Sequence, residues 1–188
     1  MRPPLPQQID RVVLYNNPAA EKGDTPHYAK DFVVSVSDTQ PFGAAFRPVV
    51  RGTLEPRGGP QEFRFPPAAA RYVRLHIRNG HDTKTDRVEL AEFEVYSTGG
   101  GNVNLSHRAT RITEAGELLR FTSARGQLGP WSADNIHDGV KEGARGSWAS
   151  APGAALLVRN AGAVVDLSSR VDASGRLRWQ APAGKWLI

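Results

Sequence analysis

The chain contains no cysteine among its 188 residues. Disulfides and thiolate metal sites are therefore excluded, while the cellular compartment is left open. It has no apolar run near the ~18 residues of a membrane-crossing helix, so no transmembrane segment is expected. The opening "MRPPLPQQID" lacks the apolar core of a secretory leader, and none is expected there. The formal net charge is +5 and the isoelectric point near 9.9, yet no block of five or six like charges occurs. Most of the 24 basic residues are Arg, scattered from Arg2 to Arg178, and no nucleic-acid motif accompanies them. No nucleic-acid partner is expected. There is no Gly-x-Ser-x-Gly, no His-Glu-x-x-His, no phosphate loop and no dinucleotide fingerprint.

What the chain does have is strand patterning and turn residues. Nineteen Gly and fourteen Pro suit many short strands better than long helices. Between residues 9 and 97 the strand patterns follow one another. "IDRVVLYNNP" is a strand ended by Asn16, Asn17 and Pro18, and "DFVVSVSDTQPFG" alternates before it breaks at Pro41 and Gly43. "FRPVVRGTL" and "QEFRFPP" are shorter, the second expected to stop at Pro66 and Pro67. "RYVRLHIR" alternates fully, with Val73, Leu75 and Ile77 on one face and Arg74, His76 and Arg78 on the other. In "RVELAEFEVYS" the same period puts Ala91, Phe93 and Val95 on one face, against Glu92 and Glu94. The Arg-His-Arg face is expected to be the wet side of a sheet, gaining a few tenths of a kcal/mol per cross-strand pair with Glu92 and Glu94. The class is all-β, an antiparallel β-sandwich.

"STGGGN" at 97–102 is the best linker candidate, because a run of glycines holds no fixed backbone cheaply. Residues 103–162 are weakly periodic, with a short helix expected at "TEAGELLRF" and a helical turn at "SADNIHDG". The end, "AVVDLSSRVDASGRLRWQAPAGKWLI", reads as a β-meander with Leu177, Trp179, Trp186 and Ile188 as core. Three units result: 9–97, an irregular segment 98–160, and the meander 161–188.

The strings "IDRVVLYN", "FVVSVSDT", "FPPAAARYVRLHI" and "ELAEFEVY" resemble, in order and spacing, the back half of discoidin-like, coagulation-factor C-type domains. These are galactose-binding-like jelly rolls common in carbohydrate-active enzymes. "NVNLSHRAT…WSADNIHDGV…SWAS" resembles the front half of the same family. Three arrangements fit that order: a circularly permuted sandwich, a cut holding the end of one module and the start of the next, or a chance second match. The string "VVDLSSRVDASGRLRW…PAGKW" resembles a stretch within bacterial α-L-rhamnosidase-type glycoside hydrolases. Together the resemblances imply a non-catalytic, carbohydrate-associated portion of a larger glycoside hydrolase, covalently linked to a catalytic domain and periplasmic or secreted in a bacterium. The alternatives are a discoidin-type adhesion module for a protein or membrane surface, and an enzyme fragment with no function alone.

No acid stands in a catalytic signature, although glycoside hydrolysis needs a pair of carboxyl groups across the scissile bond. The discoidin resemblance implies a structural calcium held by Asp138, Glu92 and the backbone oxygen of Ala91, with Val140 and Gly143 standing where the family offers further oxygen ligands. Sugar-binding surfaces combine aromatic rings with polar groups for the hydroxyls, and the loop residues able to act so are Asn16, Asn17, His27, Tyr28, His81, Asp82 and Trp131. The other tryptophans, Trp148, Trp179 and Trp186, are assigned to the core.

Overall fold

The computed structural model describes residues 6–17, 27–41, 43–83, 88–98, 105, 109–112, 136, 139, 141, 148–149, 161–171 and 177–178. Ten strands run through them: β1 (Gln7–Asn16), β2 (Asp31–Ser37), β3 (Arg47–Thr53), β4 (Pro60–Ala70), β5 (Tyr72–Ile77), β6 (Glu89–Ser97), β7 (Ala109–Ile112), β8 (Trp148–Ala149), β9 (Ala161–Val171) and β10 (Leu177–Arg178). A 3-10 turn at Gly43–Ala45 adds a short helical element. No helix of the described residues is long and apolar enough to cross a membrane.

The strands form two antiparallel sheets. One has the order β4-β1-β6-β8; the other has β10-β9-β5-β2-β3, with β7 pairing the far side of β9. The described residues are all-β, and the six strands expected within 9–97 are β1 to β6. One core cluster draws on both sheets: Ile9, Val12, Leu14, Phe65, Phe93 and Val95 from the first meet Phe32, Val34, Val36, Val73, Leu75 and Ile77 from the second. These are the apolar halves of alternating strands, and burying such a face is what drives two sheets together. Leu105 and Ile136 lie in the same cluster, and the Leu105 N–H donates to the Val95 carbonyl. Through β7, β8 and β9, the segments beyond the glycine run are thus paired into the sheets begun by 9–97.

Three details depart from the sequence reading. First, β4 does not stop at Pro66 and Pro67. Ile9 faces Ala68 while Arg11 faces Arg64, so Phe65, Pro66 and Pro67 together oppose Asp10 in a bulge. β4 is also an edge strand. An edge with a bulge is where proline is tolerated, because no ladder donor is demanded of it.

Second, the Arg74–His76–Arg78 face is not paired with Glu92 and Glu94. β5 lies between β2 and β9, and the two acids are on β6 in the other sheet. Arg74 instead carries its guanidinium over the Phe46 ring, 4.4 Å from the centroid. His76 is half-buried, and desolvation, with Arg74 and Arg78 nearby, pushes its pKa from 6.5 down to about 4.

Third, Ala91 does not share a face with Phe93 and Val95. The β1–β6 register passes from Tyr15↔Glu92 to Asn16↔Leu90, so Ala91 and Glu92 oppose one position in a bulge. Leu90 then joins the main core, whereas Ala91 packs with Val13 and Tyr15 on the outer side. Glu92 and Glu94, expected to face water, are buried at 0% and 3% exposure.

Candidate functional site

The outer face of the four-stranded sheet carries a cleft of about 220 Å³ lined by Arg11, Val13, Tyr15, Pro60, Glu62, Glu94 and Tyr96. Its floor follows from the strand period and two registers. Arg11, Val13 and Tyr15 alternate with the core residues Val12 and Leu14, so all three point outward from β1. On either side β4 and β6 supply their partners. Arg11 lies between Arg64 and Tyr96, Val13 between Glu62 and Glu94, and Tyr15 between Pro60 and Glu92. An apolar strip centred on Val13 is therefore flanked by a carboxylate on each side. One end is closed by an arginine and a tyrosine, the other by a tyrosine and a proline.

The polar groups are cross-linked. Arg11 Nη1 donates to Glu62 Oε2 at 3.1 Å, and Arg64 Nε lies 2.7 Å from Glu62 Oε1. Tyr96 donates its hydroxyl to Glu94 Oε2 at 3.0 Å. Lys141 reaches in from the later part of the chain, 2.9 Å from Glu94 Oε1, and donates to the Tyr15 hydroxyl oxygen at 3.1 Å. The Arg11 guanidinium sits 4.1 Å from the Tyr96 ring centroid, and the Lys141 ammonium 4.8 Å from that of Tyr15. Each ring thus has a cation on one face, an arrangement favoured by the ring quadrupole.

The electrostatics reflect this burial. The Tyr96 phenol is pushed up to about 12 by desolvation and by its bond to Glu94. Tyr15 is raised by burial, against the opposing pull of its bond from Lys141. Lys141 is raised above its usual value chiefly by its bond to Glu94. All three stay in their neutral-pH forms: two phenols and an ammonium.

The sugar-binding residues expected from sequence lie elsewhere, at one end of the two sheets. Asn16 is fully buried; its Nδ2 donates to the carbonyls of Ala29 and Glu55 and its Oδ1 accepts from Ala29 N–H. Asn17 is also buried and donates to Glu89 Oε2 at 3.0 Å. His27 is 5% exposed, and its carbonyl accepts from Glu89 N–H. Tyr28 and His81 are half-buried; the His81 N–H donates to the Tyr28 carbonyl and its Nε2 lies 2.7 Å from the Leu54 carbonyl. Asp82 beside it is half-buried as well. These six gather at one end of the sheets, where the two asparagines and His81 spend their polar atoms on holding the loops. Trp131 lies outside the described residues.

For the expected calcium, Asp138 likewise lies outside the described residues. Glu92 and Ala91 occupy the β6 bulge, and Glu92 Oε2 accepts the Gly139 N–H at 2.9 Å. A bulge residue skipped by the β1 ladder and a fully buried carboxylate beside it are hard oxygen donors of the kind calcium uses. Among the described residues no group of three or more Asp, Glu, His or Cys gathers to hold a metal.

The cleft is not among the sites expected from sequence. Arg11, Val13, Tyr15, Glu62, Glu94 and Tyr96 each fall on the polar phase of a strand, a signal that was present. That β1 lies between β4 and β6 is a long-range pairing no local pattern encodes. Comparison of the chain with protein families, with curated proteins and with solved structures finds no match.

Proposed function

We propose that this chain is a non-catalytic, carbohydrate-associated β-sandwich of the galactose-binding-like type, acting within a larger glycoside hydrolase. Its role is to bind or orient saccharide beside a covalently linked catalytic domain, in a secreted or periplasmic setting. The carrying observation is the outer-face cleft, where Val13 forms an apolar strip between Glu62 and Glu94 with Arg11, Tyr15 and Tyr96 around it. A pyranose has an apolar face and a rim of hydroxyls; Glu62 is open to accept from such hydroxyls, while Val13 and Glu94 are reached through the cleft. The cleft is smaller than the ~300 Å³ lower bound of drug-sized pockets, which suits a single sugar unit of a chain. Both carboxylates already face cations across 2.7 to 3.1 Å. That favours a recognition surface over an acid pair poised about a scissile bond.

A structural calcium belongs to the same reading. Glu92 and the Ala91 carbonyl would hold it together with Asp138, and its chemistry there would be to fix the bulge and the turn that follows Asp138 in the chain. Affinity electrophoresis through gels containing soluble polysaccharides tests the function. The chain is expected to be retarded by at least one, and the Glu94→Gln and Tyr96→Ala variants less so. Equal mobility of all three in every gel would refute the proposal.

A further inference from the structure

The ends of a sugar differ little in shape between neutral and acidic residues, so charge must separate them. The cleft lining carries one cation, Arg11, and two anions, Glu62 and Glu94. The nearby cations are spoken for: Arg11 and Arg64 converge on Glu62, and Lys141 on Glu94. A carboxylate brought onto the Val13 strip would meet a Glu on either hand, and any arginine or lysine it recruited would have to be shared with the Glu it already pairs. A hydroxyl meets no such penalty, because each Glu can accept from it while keeping its cation. Tyr15 and Tyr96 both hold a cation against one ring face, so recognition relies on these polar groups more than on open stacking platforms.

From this geometry we infer that the outer-face cleft selects non-acidic saccharides and rejects uronic-acid or sulfated ones, with Glu62 and Glu94 as the residues that set the preference. The inference rests on the carbohydrate-binding reading above and specifies the substrate class of the same site. It also assigns a role to the arginines: Arg11 and Arg64 restrain Glu62 in place and do not capture an anion.

The test is isothermal titration of the full chain with neutral galacto-oligosaccharides and, separately, with length-matched oligogalacturonates. Wild-type protein is expected to bind the neutral series at least about tenfold tighter, the scale of one like-charge contact. Glu62→Gln frees Arg11 and Arg64 from their shared acid and is expected to shrink that preference severalfold, by strengthening uronate binding. Glu62 is 40% exposed in its side chain, so this change leaves the fold intact; Glu94→Gln serves as the second variant. Equal or tighter binding of oligogalacturonate by wild type overturns the inference. So does a neutral preference that both variants leave unchanged, an outcome that spares the function itself. Binding of neither series overturns this inference, and the function with it if no other saccharide is retained.

Discussion

Gly139 donates its backbone N–H to Glu92 Oε2 at 2.9 Å, tying a turn to a strand 47 residues earlier in the chain. Glu92 is fully buried in the β6 bulge, and Gly139 has φ near 88°. One bond therefore joins two local conformations that each need a specific residue type. Glu92→Ala is expected to destabilise the protein by about 1–3 kcal/mol, the range for losing a hydrogen bond to a charged group. Gly139→Ala should cost about 1 kcal/mol or more, because an L side chain resists positive φ. Urea unfolding of both variants and of the double variant checks the link. A double-variant loss smaller than the sum of the single losses is the expected coupling.

A second expectation concerns Gly52 on β3. A Cβ there would lie 2.8 Å from ring atoms of both Phe32 and Phe63, which pack edge to face with centroids 4.7 Å apart. That ring pair bridges β2 and β4, one strand from each sheet. Gly52→Ala is expected to force the rings apart and cost about 1–3 kcal/mol, as overpacking does. A thermal midpoint at or above that of wild type would show that the rings yield freely.

The third concerns pH. The His76 pKa is held down to about 4 against an ordinary 6.5, mainly by desolvation. Between those values the unfolded chain binds a proton that the folded chain refuses, so stability rises with pH across that window and levels off above 6.5. His76→Gln should remove this part of the slope, seen as a smaller difference between urea midpoints at about pH 4.5 and pH 7. The imidazole resonances of His76 should also keep their neutral positions down to about pH 5. Titration of His76 near 6.5 would contradict the burial.

The succession of strands within 9–97 was legible because strand-forming runs, the alternating "VRLHI" clearest among them, are separated by turn residues. What was not legible follows from pairing between distant segments. Local period assigned Ala91 to the core face; the bulge opposite Tyr15 moved it to the outer face beside Val13. Local turn chemistry ended β4 at Pro66, but the bulge opposite Asp10 absorbed both prolines. Acids on the polar phase of β6 read as solvent-facing. They are buried because the chain returns: Gly139 and Lys141 lie against them. The cleft was hidden for the same reason, being assembled from three strands whose adjacency appears only in the fold.

Lys141 supplies the fourth expectation. Lys141→Met keeps the stem but removes the ammonium from the Glu94 carboxylate and the Tyr15 hydroxyl. The Lys141 side chain is 45% exposed, so the loss should be about 1 kcal/mol, well below that for a fully buried pair. The same change leaves Glu94 bonded to the Tyr96 hydroxyl without its cation and should raise the pH at which Tyr96 ionises, since the lysine now lowers it. Spectrophotometric titration of the phenols reads that shift directly. An unchanged profile would mean that Lys141 does not act on the cleft.

The central proposal is that a saccharide would bind on the outer face and not at the loop-bearing end. Chemical-shift mapping of the isotopically labelled chain, titrated with a neutral oligosaccharide that retards it, tests this most directly. The account predicts that the perturbed amides cluster at Val13, Tyr15, Glu62, Glu94 and Tyr96, with Tyr28, His81 and Asp82 unmoved. Perturbation confined to Tyr28, His81 and Asp82, with the β1 and β6 amides silent, would contradict it.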